Sequence, residues 1–184
     1  FLRSNNSLVS QEGTPYTSTF ALVFLMFGQS LTTVWYCLFF AILIALFWID
    51  LETYLLPDCL TLTLLWLALI GAAVGVLPLT ADEAIIGAAI AYAGMWSVDG
   101  LYYLWRRRHG FGGGDFKLLA ALGAWLGISG IIPILLIASI LAILTMSLFG
   151  LLKKEALSLE KVLPFGPFLV LAACIVFLME NFLL

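Results

Sequence analysis

Residues 110–127 read GFGGGDFKLLAALGAWLG: four glycines and a phenylalanine lead to an aspartate, and a lysine follows two places on. The rest of the stretch is apolar enough to sit in lipid. What a carboxylate does at the mouth of such a helix depends on what surrounds it. The 184-residue chain is 64% hydrophobic and 10% charged, against about 25% charged in a typical soluble domain. So little polarity cannot cover a water-facing surface. The chain therefore reads as all-α, a polytopic integral membrane helix bundle.

A membrane helix needs about 20 mostly apolar residues, at about 1.5 Å of rise each. Seven stretches qualify: 17–30, 32–49, 59–77, 83–105, 115–128, 131–151 and 163–183, the first and fifth being short. They are separated by GQS (28–30), LPD (56–58), PLTADE (78–83), RRRHGFGGG (106–114), GISG (127–130) and KKEALSLEK (153–161). The expected organisation is a cytoplasmic amino-terminal segment, 1–16, followed by a transmembrane domain, 17–184, with about seven transmembrane segments. The chain opens on Phe1, so it is expected to be part of something longer, and its front has no signal-peptide pattern.

Lysine and arginine concentrate in cytoplasmic loops. With the amino end cytoplasmic, the cytoplasmic pieces are 1–16, 50–58, 106–114 and 152–162. Arg3, Arg106, Arg107, Arg108, Lys153, Lys154 and Lys161 fall within them, and Lys117 lies at the cytoplasmic end of the fifth segment. The opposite loops hold no basic residue, which supports an odd number of crossings. The same alternation puts Asp50, at the end of FFAILIALFWID, on the same face as Asp115.

The fifth segment holds too few apolar residues for a full crossing: as a helix it reaches only about 20 Å against a hydrocarbon core of about 30 Å. A loop that dips below the interface would close the gap, carrying Asp115 with it. Irregular backbone at that depth must be enclosed by protein or line a wet cavity. Glycine there lets another chain approach closely, so an extended substrate could take hydrogen bonds from the loop. Asp115 also suits a helix N-cap, and the two roles are compatible. A phosphate loop is not indicated, because GxxxxGK[ST] is missing.

Asp50 opposes the dipole at its helix end, and acids buried at such depth are usually functional. Asp58, after Pro57, reads as an N-cap. Asp99 lies inside the fourth segment and is expected to pair with Lys117 or an arginine, or else to serve the site. Glu52, Asp82, Glu83, Glu155 and Glu160 read as solvated loop acids. Trp35, Tyr36, Trp48, Tyr102, Tyr103 and Trp105 read as interfacial belts. Arg106–Arg108 and His109 read as the anchor of the fourth segment. Cys37, Cys59 and Cys174 have no ligand spacing, so no metal site or disulfide framework is expected.

Two acids in one low-dielectric pocket share a proton. The ionised member can draw a proton from water, while the protonated one polarises a peptide carbonyl and later protonates the leaving amine. That is aspartyl-protease chemistry, with no metal and no covalent intermediate.

DLETYLLPDCLTLTLLWLALIG (50–71), GGGDFKLLAALGAWLG (112–127) and PFGPFLVLA (164–172) together resemble the bacterial type IV prepilin peptidases, membrane aspartyl proteases of the GxGD class. The similarity runs over roughly 33–184. It implies that Asp50 and Asp115 form the catalytic dyad and that Gly112 and Gly114 are the motif glycines; Lys117, two places after Asp115, is read with those glycines as a loop or substrate-binding residue. It implies substrates that are type IV prepilins or type II secretion pseudopilins, whose short basic leader is removed on the cytoplasmic side of the bacterial inner membrane. Lipid is the other implied partner, and nucleic acid is not one. Many family members also methylate the new amino terminus with S-adenosylmethionine and carry paired CxxC motifs in an earlier region. Those cysteines are not in this chain, so S-adenosylmethionine enters only if a methyltransferase activity is retained, and proteolysis needs no cofactor. The alternatives are another GxGD protease, or a transporter subunit in which Asp50, Asp99 and Asp115 relay protons or ions.

Overall fold

The computed structural model describes residues 19, 23, 31–153 and 164–182. All regular structure among them is helical: α1 (Leu31–Thr53), α2 (Asp58–Ala73), α3 (Ala81–Arg106), α4 (Gly113–Lys153) and α5 (Gly166–Phe182). Three helices are long and apolar enough to cross a membrane, Leu31–Thr53, Ala81–Arg106 and Gly113–Leu148, and two shorter apolar ones are Asp58–Ala73 and Gly166–Asn181.

The helix ends follow local chemistry. α1 stops at Tyr54, whose φ of 58° is left-handed while its N–H still donates to the Asp50 carbonyl at 2.9 Å. Pro57, held at φ −66°, then stands before α2. α3 opens on a capping box between Thr80 and Glu83 and closes on Arg107 in the left-handed conformation. Glu83 is thus a helix-capping acid rather than a loop acid, because its carboxylate accepts from the Thr80 amide at 2.8 Å.

α4 unites two of the expected segments. Its 41 residues as a straight rod would run about 60 Å, twice the hydrocarbon thickness. At Gly127, with φ 68° and ψ −173°, the helix breaks into arms 113–126 and 128–153. The six segments from the second onward coincide with α1, α2, α3, the two arms and α5, and the first lies outside the described residues except for Thr19 and Val23.

The first arm of α4 is the hub. From Asp115 to Gly127 every residue is buried except the half-buried Lys117, as expected of a helix that is apolar all round. Trp125 donates to the Leu64 carbonyl at 2.9 Å, tying the arm to α2, and Trp35 ties α1 to Leu67 in the same way. Tyr36, Phe39, Phe40, Trp125 and Phe177 form one aromatic cluster across α1, α4 and α5. Tyr36 is therefore a core residue at 4% exposure rather than part of a belt. Against α3 the backbones nearly touch: a Cβ on Gly87 would run into the Gly123 carbonyl. Outward, Leu31, Val34, Ile85, Ile86, Ile90 and Trp96 are exposed, which suits a surface bathed in lipid.

Candidate active site

One end of the bundle gathers the carboxyl end of α1, the loop 54–57, the carboxyl end of α3, the glycine loop and the amino ends of α4 and α5. Contacts with Gly114 and Gly166 fix this. A Cβ on Gly114 would lie 2.8 Å from Leu56 Cβ, and one on Gly166 would lie 2.6 Å from Asp50 Oδ2 and 3.2 Å from Leu56 Cδ1. The other end holds Leu79 beside Gly127 and Glu180 beside Gly130.

Asp50 and Asp115 both lie at the first end. Asp50, in the last turn of α1, is 4% exposed, and Asp115 is 8% exposed. They lie close enough for the charge of Asp50 to act on Asp115. Asp50 lies against the Gly166 backbone, yet its Oδ2 is buried with no hydrogen-bond partner among the described residues. A buried carboxylate oxygen without a partner is costly, and such a group calls for an explanation. A water donating to that oxygen, or a peptide carbonyl accepting from it when the acid carries a proton, would supply the missing partner.

Asp115 is not the N-cap. It occupies the third position of α4, from which its Oδ2 accepts from the Gly112 N–H at 3.2 Å while its own N–H donates to the Gly112 carbonyl at 3.1 Å. This is the reach-back half of a capping box. Nor is Asp58 an N-cap: that position is Pro57 and no side chain caps it. Asp58 instead pairs with Lys117 Nζ at 2.6 Å, so Lys117 joins α4 to α2 at the edge of the site.

Asp99 pairs with neither Lys117 nor an arginine among the described residues. Its Oδ2 meets His109 Nδ1 at 2.6 Å, and its Oδ1 accepts from the N–H of Gly110 at 2.8 Å and of Phe111 at 3.2 Å. The expectation that the loop offers its amides to a substrate is therefore corrected for three consecutive positions. Gly110 and Phe111 donate to Asp99 and Gly112 to Asp115. In the sequence His109 had only an anchoring part, and Leu56 and Gly166 had no part by themselves. PFGP marked the last of these in the chain, whereas nothing in the sequence pointed to the His109–Asp99 pair. The described residues contain no cluster of three His, Cys, Asp or Glu able to hold a metal, and the three cysteines are free.

The family model described as the type IV leader peptidase family matches residues 37–147. The prepilin leader peptidase/N-methyltransferase of Xanthomonas campestris pv. campestris is 43% identical over 139 residues, 76% of this chain and 47% of that protein. Proteins of the same name from Neisseria gonorrhoeae (40% over 161 residues, 86% and 53%) and Legionella pneumophila (42% over 151 residues, 81% and 51%) are similar too. The chain spans about half the length of these curated relatives. No solved structure matches significantly.

Proposed function

This chain belongs to the type IV leader peptidase family, and from that premise we propose that it is a membrane-embedded aspartyl endopeptidase. It removes the short basic leader from type IV prepilins or type II secretion pseudopilins at the cytoplasmic face of the bacterial inner membrane. In this reading 1–16 is cytoplasmic, and 17–184 is a peptidase domain of seven transmembrane segments. The observation that carries the reading is that Asp50 and Asp115, two buried acids from distant helices, come near each other at one end of the bundle.

Asp50 and Asp115 hold one proton between them. The ionised carboxylate takes a proton from a water lying between the pair, and the oxygen of that water attacks the scissile carbonyl. The protonated carboxyl hydrogen-bonds that carbonyl and gives its proton to the developing oxyanion. Collapse of the tetrahedral intermediate breaks the C–N bond, and the leaving amine takes the proton first drawn from water. The other member recovers its own proton from the intermediate, which restores the pair. Gly112 and Gly114 have structural parts in this scheme: the Gly112 amide orients Asp115, and bare Gly114 makes room for Leu56. Lys117, through Asp58, holds the edge of the site. Acid and base both come from this pair, so proteolysis uses no cofactor, and S-adenosylmethionine would enter only with a retained methyltransferase activity.

Co-expression with a prepilin tests the proposal, with leader loss followed as a mobility shift on a gel. The wild-type chain should process the substrate. Asp50→Asn and Asp115→Asn should each abolish processing while still accumulating in the membrane, and Asp58→Asn should keep substantial activity. Normal processing by either dyad variant rules out the role given to that residue.

A further inference from the structure

We propose that Asp99 is a positioning residue that straps the glycine loop to α3 and so sets where Asp115 stands against Asp50. The inference rests on reading Asp50 and Asp115 as the reacting pair. Asp99 sits about two turns before the end of α3, and its side chain is only 6% exposed. Buried there, a carboxylate needs compensation, and all that is seen comes from one loop: His109, Gly110 and Phe111.

The connections run without a gap from Asp99 to both acids. His109, bonded to Asp99 Oδ2, stacks flat on Tyr103, one turn further along α3, with centroids 4.7 Å apart and planes 20° apart. The next two amides donate to Asp99 Oδ1, and the third, from Gly112, donates to Asp115 Oδ2. Three successive N–H groups thus bridge two carboxylates, one on each flanking helix. The loop is also anchored sideways, since the Phe111 ring meets the Phe165 ring at 5.4 Å. Phe165 is followed by Gly166, whose bare Cα faces Asp50. Cutting the strap at Asp99 would free the segment that carries Asp115 and loosen its register with Asp50. A misplacement of about 1 Å between reacting groups costs about 100-fold in rate.

The test uses the full chain, purified in detergent, with a prepilin as substrate. Asp99→Ala should lower kcat about 100-fold with KM within about twofold, and speed amide hydrogen exchange in a peptide covering 107–114. Asp99→Asn keeps an oxygen for Gly110 and Phe111, so it should recover most of kcat and the slow exchange. A purely structural role would not give that split or that rescue. Wild-type kcat in Asp99→Ala, or lost activity with unchanged exchange, overturns the proposal. Should Asp99→Ala fail to accumulate, His109→Ala decides. His109 is 69% exposed, so its removal takes away the Tyr103 stack and the Asp99 bond but leaves the core intact, and it should still quicken exchange in that peptide and reduce kcat about 10-fold. No change in either overturns the strap. Asp115→Asn, run alongside, separates the two readings. If it cleaves like wild type, the dyad fails and this inference with it. If it is dead while Asp99→Ala is fully active, only the strap fails.

Discussion

Gly166 and Gly114 lack side chains for a reason that their neighbours supply. A methyl on Gly166 would press on Asp50 Oδ2 at 2.6 Å, and one on Gly114 on Leu56 Cβ at 2.8 Å. Leu56 Cβ moves only with its backbone, and behind Asp50 Oδ2 the Asp50 Cγ would lie at 3.1 Å, so the backbone or the acid must shift. Overpacking of this kind destabilises by about 1–3 kcal/mol. Its larger effect here would fall on geometry, where sub-ångström errors reach the rate. Gly166→Ala and Gly114→Ala should each lower leader removal at least about 10-fold while the protein still inserts, measured by processing of a co-expressed prepilin. Gly113 is the built-in contrast. A Cβ there meets nothing within 4 Å and its φ is not positive, so Gly113→Ala should process substrate like wild type. It should gain about 0.4–1 kcal/mol in a detergent melt, because alanine has less unfolded freedom to lose. Equal damage from all three substitutions would mean that loop flexibility, rather than close approach, is what the glycines provide.

The elements that hold these residues in place depend on how the first arm of α4 is enclosed. It crosses α3 at Gly87 and Gly123, where a Cβ on Gly123 would lie 2.6 Å from the Gly87 carbonyl oxygen and 2.9 Å from Ala91 Cβ. Backbone on both sides leaves the helices no choice but to part. Gly123→Ala should therefore lower thermal stability by at least about 1–3 kcal/mol, visible as an earlier unfolding transition in detergent. Gly127→Ala should cost about 1–3 kcal/mol for a different reason: its φ of 68° strains any L side chain. The Asp58–Lys117 pair makes the opposite case. Its side chains are 59% and 34% exposed, and exposed pairs contribute about 0–1 kcal/mol. Lys117→Ala should thus barely move the melt. Any activity it loses should return in the exchanged double variant Asp58→Lys, Lys117→Asp, if the pair acts by joining α2 to α4.

At the scale of the whole chain, legibility followed the physics of each feature. Runs of apolar residues are demanded by lipid, so the segments from 32 onward were readable, with even the break near 127–130 announced by its glycines. That Asp50 and Asp115 lie at the same end was readable from alternation alone, because it needs only a count of crossings. Partner choice was not. Asp99 found His109 instead of Lys117, and Tyr36 turned inward to Phe177, because side-chain direction depends on helix rotation that no loop count reports. Which end faces the cytoplasm rests on the basic residues, and α3 allows a decisive measurement. It joins Pro78 to Arg108 through 26 helical residues, about 39 Å of rise, which exceeds a hydrocarbon core of about 30 Å. The two positions should therefore emerge on opposite sides. In a cysteine-free background, Pro78→Cys should react with an impermeant maleimide on intact spheroplasts, and Arg108→Cys only after permeabilisation. The reverse pattern would invert the bundle and put both acids on the outer face, away from any cytoplasmic leader. Labelling of both from outside would mean that α3 does not cross at all.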